Sequence, residues 1–284
     1  MTKIALVYQP AVEGSQALAE RCATVAQRRG LEPLLVSSRD LDHAPPRPEG
    51  DFAVTFGGDG TILRVARWVA GTATRIIGVQ MGRLGFLAEL QPTDAPERLD
   101  SYLAGDYWED RRAMLASQVV EVTPAGTAAP PPGTAAASRS FLALNDIVVG
   151  RGAAIRTVSV DISINGRTLH EFRCDGVIVA TATGSTAYSF ACGGPVLPPD
   201  SRELVITPIS PHLSTLKSFV IPENSPIRLR VTSTDAATLT VDGQEDESLG
   251  NQGVVEALVA TPCTVFARQG TQVELYRRIL AKLG

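Results

Sequence analysis

The chain has 284 residues, 44% hydrophobic and 20% charged, which fits a folded soluble protein of two modest domains rather than one core. Its net charge of −4 argues against broad nucleic-acid binding, so an anionic ligand must be met by local cations, with Arg64, Arg67, Arg83, Arg151, Arg156 and Arg173 as candidates. Cys22, Cys174, Cys192 and Cys263 lack C-x-x-C spacing and His43, His170 and His212 lie far apart, so no zinc site and no metal-ligating side chains are expected, a reducing cytoplasm is, and no apolar run reaches the ~18–20 residues of a membrane span.

Residues 3–8 read as a strand rather than a signal peptide, because the apolar stretch is too short. Residues 15–29 read as a helix with Leu18, Cys22, Val25 and Ala26 on one face and Gly30 placed to end it. A strand at 33–37, a proline-rich loop at 40–50, a buried strand at 51–56 and a helix at 62–69 follow. A strand at 75–79 leads into Gly82-Arg83-Leu84-Gly85-Phe86, then a short helix at 96–104. This alternation predicts a Rossmann-like α/β domain, a parallel sheet covered on both faces with ligands beyond the strand C-termini.

After about Tyr107 the pattern becomes a series of short strands: 119–122, 141–149, 158–164, 167–173, 177–181, 204–207, 219–221, 227–231, 238–241 and 263–267. Asn165-Gly166 is a type I′ hairpin signal. An all-β domain of two packed antiparallel sheets is expected. The Ala/Pro/Gly-rich stretch 123–140 reads as a flexible hairpin tip. Residues 274–283 read as a helix with Leu275, Ile279, Leu280 and Leu283 on one side, returning to the first domain. The expected division is 1–107, 108–267 and a C-terminal helix within 268–284.

The richest tract is Phe56-Gly57-Gly58-Asp59-Gly60-Thr61, between a buried strand and a helix. Glycines there let the backbone approach an anion, and the first helical amides point outward where the helix dipole favours negative charge. Gly57, Gly58, Gly60 and Thr61 are therefore candidates for holding phosphate. A carboxylate at Asp59 is repulsive to phosphate unless it holds Mg²⁺ or accepts a proton; the alternative is that it N-caps the helix. A second tract runs from Arg173-Cys174-Asp175-Gly176 to Thr183-Gly184-Ser185-Thr186-Ala187-Tyr188. Its hydroxyls and amides can bond a phosphate or sugar, or merely cap a helix running through Ala191. Asn145-Asp146 interrupts an apolar run and suits vicinal ribose hydroxyls, or marks a bulge. Asp242-Gly243-Gln244 is a weaker signal that could be only a turn. The P-loop pattern G-x-x-x-x-G-K-[ST] is absent.

Together these tracts, with Gly193-Gly194-Pro195 and Pro208-Ile209-Ser210-Pro211-His212, resemble the NAD kinase family, in family order across nearly the whole chain. The first tract is shared with phosphofructokinases and lipid kinases; the second is more specific. The resemblance implies NAD bound between an α/β phosphate-donor domain and a β-rich NAD-binding domain, in a cytoplasmic homodimer or homotetramer without nucleic-acid or membrane partners. It implies transfer of a phosphoryl group from ATP or polyphosphate, with Mg²⁺ or another divalent cation, to the 2′-hydroxyl of the adenosine ribose, giving NADP. Carried over residue by residue, Asp59 is the proton acceptor with Gly60 beside it. Asn145 and Asp146 match the ribose-holding pair, and Asp175, Thr186, Ala187, Tyr188, Ser189 and Ala191 the nucleotide wall. Arg64, Phe86, Arg156, Arg173 and Gln244 fall where family members contact ligand. Ala182 replaces the usual proline of the second tract, Gln80 stands where Asn is common, and Ala191 leaves one wall position without a hydroxyl. Another G-G-D-G kinase, or a silent NAD-binding regulator, is the competing reading.

Overall fold

The alternating first stretch forms β1 (Lys3–Tyr8), α1 (Ser15–Arg28), β2 (Glu32–Ser37), β3 (Phe52–Gly57), α2 (Asp59–Val69), β4 (Arg75–Gln80) and α3 (Ala95–Leu103) in the computed structural model. That structure describes residues 3–41, 50–82, 85–120, 139–152, 157–212, 214–233, 237–249 and 252–283. The chain divides into two units, Met1–Arg112 with Pro262–Gly284, and Ala113–Thr261.

In the first unit the strands run in parallel in the order β2-β1-β3-β4. Val265 and Phe266 of β16 (Val254–Arg268) extend that sheet beside β4. Every residue of β3 is buried, as a parallel sheet covered on both faces requires. Ile4, Leu6, Val54, Phe56 and Val79 pack with Leu18, Cys22 and Ala26 of α1 and with Leu99 and Tyr102 of α3. Gly30 ends α1 in the left-handed region, at φ 77°. The chain closes in α5 (Gln272–Leu283), where Leu275 and Ile279 are buried; Leu280, expected on the same side, is 63% exposed. No helix among the described residues is long and apolar enough to cross a membrane.

The second unit holds one antiparallel sheet ordered β12-β11-β10-β7-β14-β15. Its strands are β7 (Asp146–Arg151), β10 (Gly176–Ala180), β11 (Leu204–Ile209), β12 (Phe219–Ile221), β14 (Ala237–Val241) and β15 (Glu245–Leu249). Against it pack β8 (Val158–Ile164), β9 (Arg167–Cys174) and β13 (Ile227–Val231), to which Val254–Ala257 of β16 pair. Val149, Val179, Ile206 and Leu239 from the first sheet meet Val160, Ile162, Phe172 and Leu229 from the second. Asn165 and Gly166, at φ 52° and 75°, make the β8–β9 hairpin.

The structure corrects several expected elements. The strand expected at 119–122 is the end of β5 (Trp108–Val120), which pairs with β6 (Arg139–Ala143). Most of the stretch read as a flexible tip lies outside the described residues, but Arg139 and Ser140 belong to β6. The single strand expected at 141–149 is two, β6 and β7, broken at Leu144 and Asn145. The helix expected from Thr183 through Ala191 is a 3-10 turn, Gly184–Thr186, followed by the short α4 (Tyr188–Ala191). Helix α2 starts three residues before the expected Ile62, because the Gly58 carbonyl already accepts from the Thr61 and Ile62 amides.

Candidate active site

In the first unit, Gly57 is the last residue of β3 and Gly58 is the N-cap of α2, so the glycine tract is a strand-to-helix junction. The Gly57 Cα lies close over Thr61: a Cβ there would fall 2.3 Å from its Oγ1, whereas one on Gly58 would meet open space. Asp59 is the first helical residue and does not cap its own helix. Its carboxylate instead accepts the Phe86 amide on Oδ2 at 2.6 Å and the Leu87 amide on Oδ1 at 3.1 Å. Gly85 is pressed so close that a Cβ would lie 2.2 Å from Asp59 Oδ1, and its amide donates to Gln80 Oε1 at 3.0 Å. Gly60 is exposed and Arg64 half-buried one turn along α2.

The strap Gly85-Phe86-Leu87 is held from outside by the C-terminal segment. Arg268 Nη1 donates to the Leu87 carbonyl at 2.7 Å, and Lys282 Nζ donates to the Gly85 carbonyl and lies 5.6 Å from the centre of the Phe86 ring. Arg268 is buried with Asp110, Arg112 and Glu89. Burial pushes the Asp110 carboxyl up, but Arg112 and Arg268 outweigh it and hold it below the usual range. Burial lowers the Lys282 ammonium from its ordinary range, opposed by Asp59 and assisted by Arg278 and Arg268.

In the second unit the break between β6 and β7 is organised by Asp242. Its carboxylate accepts the Leu144, Asn145 and Asp146 amides at 3.1, 2.8 and 3.3 Å, and its own amide donates to the Asp146 carbonyl at 2.9 Å. Asp242 and Gly243, at φ 50° and 63°, form the β14–β15 turn, which Gln244 closes with a 2.9 Å bond to the Val241 carbonyl. Asp146 is 5% exposed; burial first, then the Asp242 charge, raises its carboxyl to about 7. Thr181 ties the second tract to this break: its amide donates to the Asn145 carbonyl at 2.9 Å and its hydroxyl to the Leu144 carbonyl at 2.6 Å. Gly184 closes on the same point, since a Cβ there would fall 2.1 Å from the Asn145 oxygen.

Asn145, Asp146, Ala187 and Tyr188 line one cavity of about 340 Å³ with Thr240 and Asp242. A second of about 230 Å³ shares Tyr188 and Thr240 and adds Arg151 and Asp175, 4.0 Å apart. Other hydroxyls of the tract serve the protein. Ser185 donates to the Ala182 carbonyl, Ser189 is fully buried against Thr207, and Thr186 donates to the Thr183 carbonyl at 3.0 Å. Arg173 is exposed and bonded to Thr157, Ala191 is exposed at the end of α4, and Arg156 and Arg83 lie outside the described residues.

A family model described as the ATP-NAD kinase N-terminal domain matches residues 48–107, and one described as the ATP-NAD kinase C-terminal domain matches 144–268. The NAD kinase of Dehalococcoides mccartyi is 38% identical over 242 residues, 85% of this chain and 81% of that one. The NAD kinase of Chloroflexus aurantiacus is 32% identical over 286 residues, 100% of this chain and 99% of its own. This chain belongs to the NAD kinase family. Its fold agrees with the crystal structure of an NAD kinase from Archaeoglobus fulgidus in complex with ATP, at TM-score 0.75 and 25% identity over 99% of each chain. Yeast NADH kinase complexed with NADH superposes at TM-score 0.82 and 22% identity, covering 100% of this chain and 88% of that one, a likeness of fold. As an NAD kinase family member it is a phosphotransferase. The Asp242 turn is visible in the sequence but the part its carboxylate plays is not, and neither are the parts of Thr181, Arg268 and Lys282. All four act through backbone groups distant in sequence, which no local pattern announces.

Proposed function

We propose that this chain transfers the terminal phosphoryl group of ATP to the 2′-hydroxyl of the adenosine ribose of NAD, with Asp59 as proton acceptor. The observation that carries this reading is the Asp59 carboxylate held by two backbone amides at the first turn of α2. Each oxygen accepts one amide and so keeps lone-pair capacity for a hydroxyl proton. The carboxylate is fixed before substrate arrives, so little reorganisation accompanies proton transfer. As the ribose oxygen bonds to phosphorus, its proton passes to Asp59 and the bond to the ADP oxygen breaks. The open space over Gly58 and the α2 N-terminus give the donor phosphates backbone amides to approach.

In the second unit, Asn145 can donate and accept and Asp146 can accept, which suits a ribose diol; Ala187 and the half-exposed Tyr188 supply an apolar wall. The ATP complex of the archaeal relative and the NADH complex of the yeast protein support these ligands. No three His, Cys, Asp or Glu side chains converge among the described residues. Mg²⁺ belongs to this reading as the counter-ion of the ATP substrate. Polyphosphate as alternative donor, a cytoplasmic location and a homodimer or homotetramer complete the proposal.

Replacing Asp59 by Asn tests the role. Turnover should fall by roughly 10²–10⁴, the worth of a general base. The new amide group also faces a backbone N–H, a lost bond that should lower stability by ~1–3 kcal/mol. Calorimetry should still find NAD bound. Wild-type turnover in a folded Asp59→Asn protein would reduce Asp59 to a structural anchor.

A further inference from the structure

Lys282 and Asp59 grip opposite ends of one peptide group. The carbonyl of Gly85 accepts from Lys282 Nζ, and the amide on the other side of that same peptide bond, Phe86 N–H, donates to Asp59 Oδ2 at 2.6 Å. A peptide group is planar and rigid, so fixing its oxygen fixes the direction of its N–H. A cation on the oxygen also polarises the group and strengthens the bond its N–H makes. Gly85 has no slack on the Asp59 side, where a Cβ would lie 2.2 Å from the carboxylate. The helix that delivers Lys282 is itself fixed. Glu274 accepts the Thr271 amide and its own amide donates to Thr271 Oγ1 at 3.3 Å, a capping box. Leu275 and Ile279 are buried, and Arg278 lies 3.4 Å from buried Glu89.

We propose that Lys282 is a positioning residue for phosphoryl transfer, acting through the Gly85–Phe86 peptide group to hold the Asp59 carboxylate where it meets the acceptor hydroxyl. The proposal rests on the reading of Asp59 as proton acceptor. Lys282 touches neither substrate in this account, so its removal affects the rate of the chemical step and leaves binding in place.

The test compares purified wild-type, Lys282→Met and Lys282→Arg proteins in NADP formation from NAD and Mg-ATP, with melting temperatures and calorimetric NAD affinities for each. Lys282→Met should lose about ten- to a hundredfold in kcat, the effect of a small misplacement of a catalytic group. Its KM for NAD and for ATP should stay within about twofold. Lys282→Arg keeps a charged donor and should recover most of the lost kcat. A Lys282→Met kcat within about twofold of wild type overturns the proposal, as does a loss that appears in the KM for ATP, which would make Lys282 a donor-binding group. A rate loss that follows the melting temperature and is shared by Lys282→Arg also overturns it. Wild-type protein that makes no NADP defeats the underlying function instead, so the two failures are distinguishable.

Discussion

Asp146 is buried beside a second carboxylate, Asp242, and its carboxyl rises from the ordinary 3.8 to about 7, through burial first and the Asp242 charge second. Between those values the folded chain binds a proton that the unfolded chain has released, so this residue makes stability fall as pH rises from about 4 to about 7. Asp146→Asn removes the titration. Its melting temperature relative to wild type should therefore improve steadily from about pH 4 to about pH 7, and a difference constant across that range would contradict the assignment. Asn145 plays a different part: its backbone is engaged by Asp242 and Thr181, and the residue lines the cavity. Asn145→Ala should raise the KM for NAD more than that for ATP; movement of the ATP constant alone would place the pair on the donor.

The β6–β7 break is an element built by a residue nearly a hundred positions away. Asp242→Ala leaves three amides without their acceptor, and should cost more than the ~1.5–3 kcal/mol that one hydrogen bond to a charged group is worth. The KM for NAD should rise while that for ATP holds, and an unchanged NAD constant would show that the break does not shape the nucleotide site. The polar pair inside an apolar run was legible from sequence; its partner was not, because nothing local links positions 145 and 242. β5 extends well before the expected 119–122 for a related reason. Glu109, Asp110, Arg111 and Arg112 hide a strand from any apolar pattern, yet Asp110 and Arg112 are buried as an ion pair at 2.7 Å. Pro262 reads as a strand end, which concealed the length of β16. The Asp59 tract was recognisable from its glycines, but the strap that holds its carboxylate is tertiary.

At the scale of the whole chain, the alternation of strands and helices followed by short strands announced two kinds of layer, and both are present: a parallel sheet in the first unit and packed antiparallel sheets in the second. The first unit carries Asp59 and the second Asn145 and Asp146, each set anchored within its own unit, and the proposed reaction draws on both. The C-terminal residues 262–284 belong to the first unit, where Arg268 and Lys282 support the Asp59 strap. The reaction is decided by incubating the purified chain with NAD and Mg-ATP and following phosphorus-31 resonance. NADP should form one for one with ADP, carrying its new phosphate on the 2′ oxygen of the adenosine ribose. Phosphate on another oxygen, or ADP released without NADP, would contradict the proposed transfer.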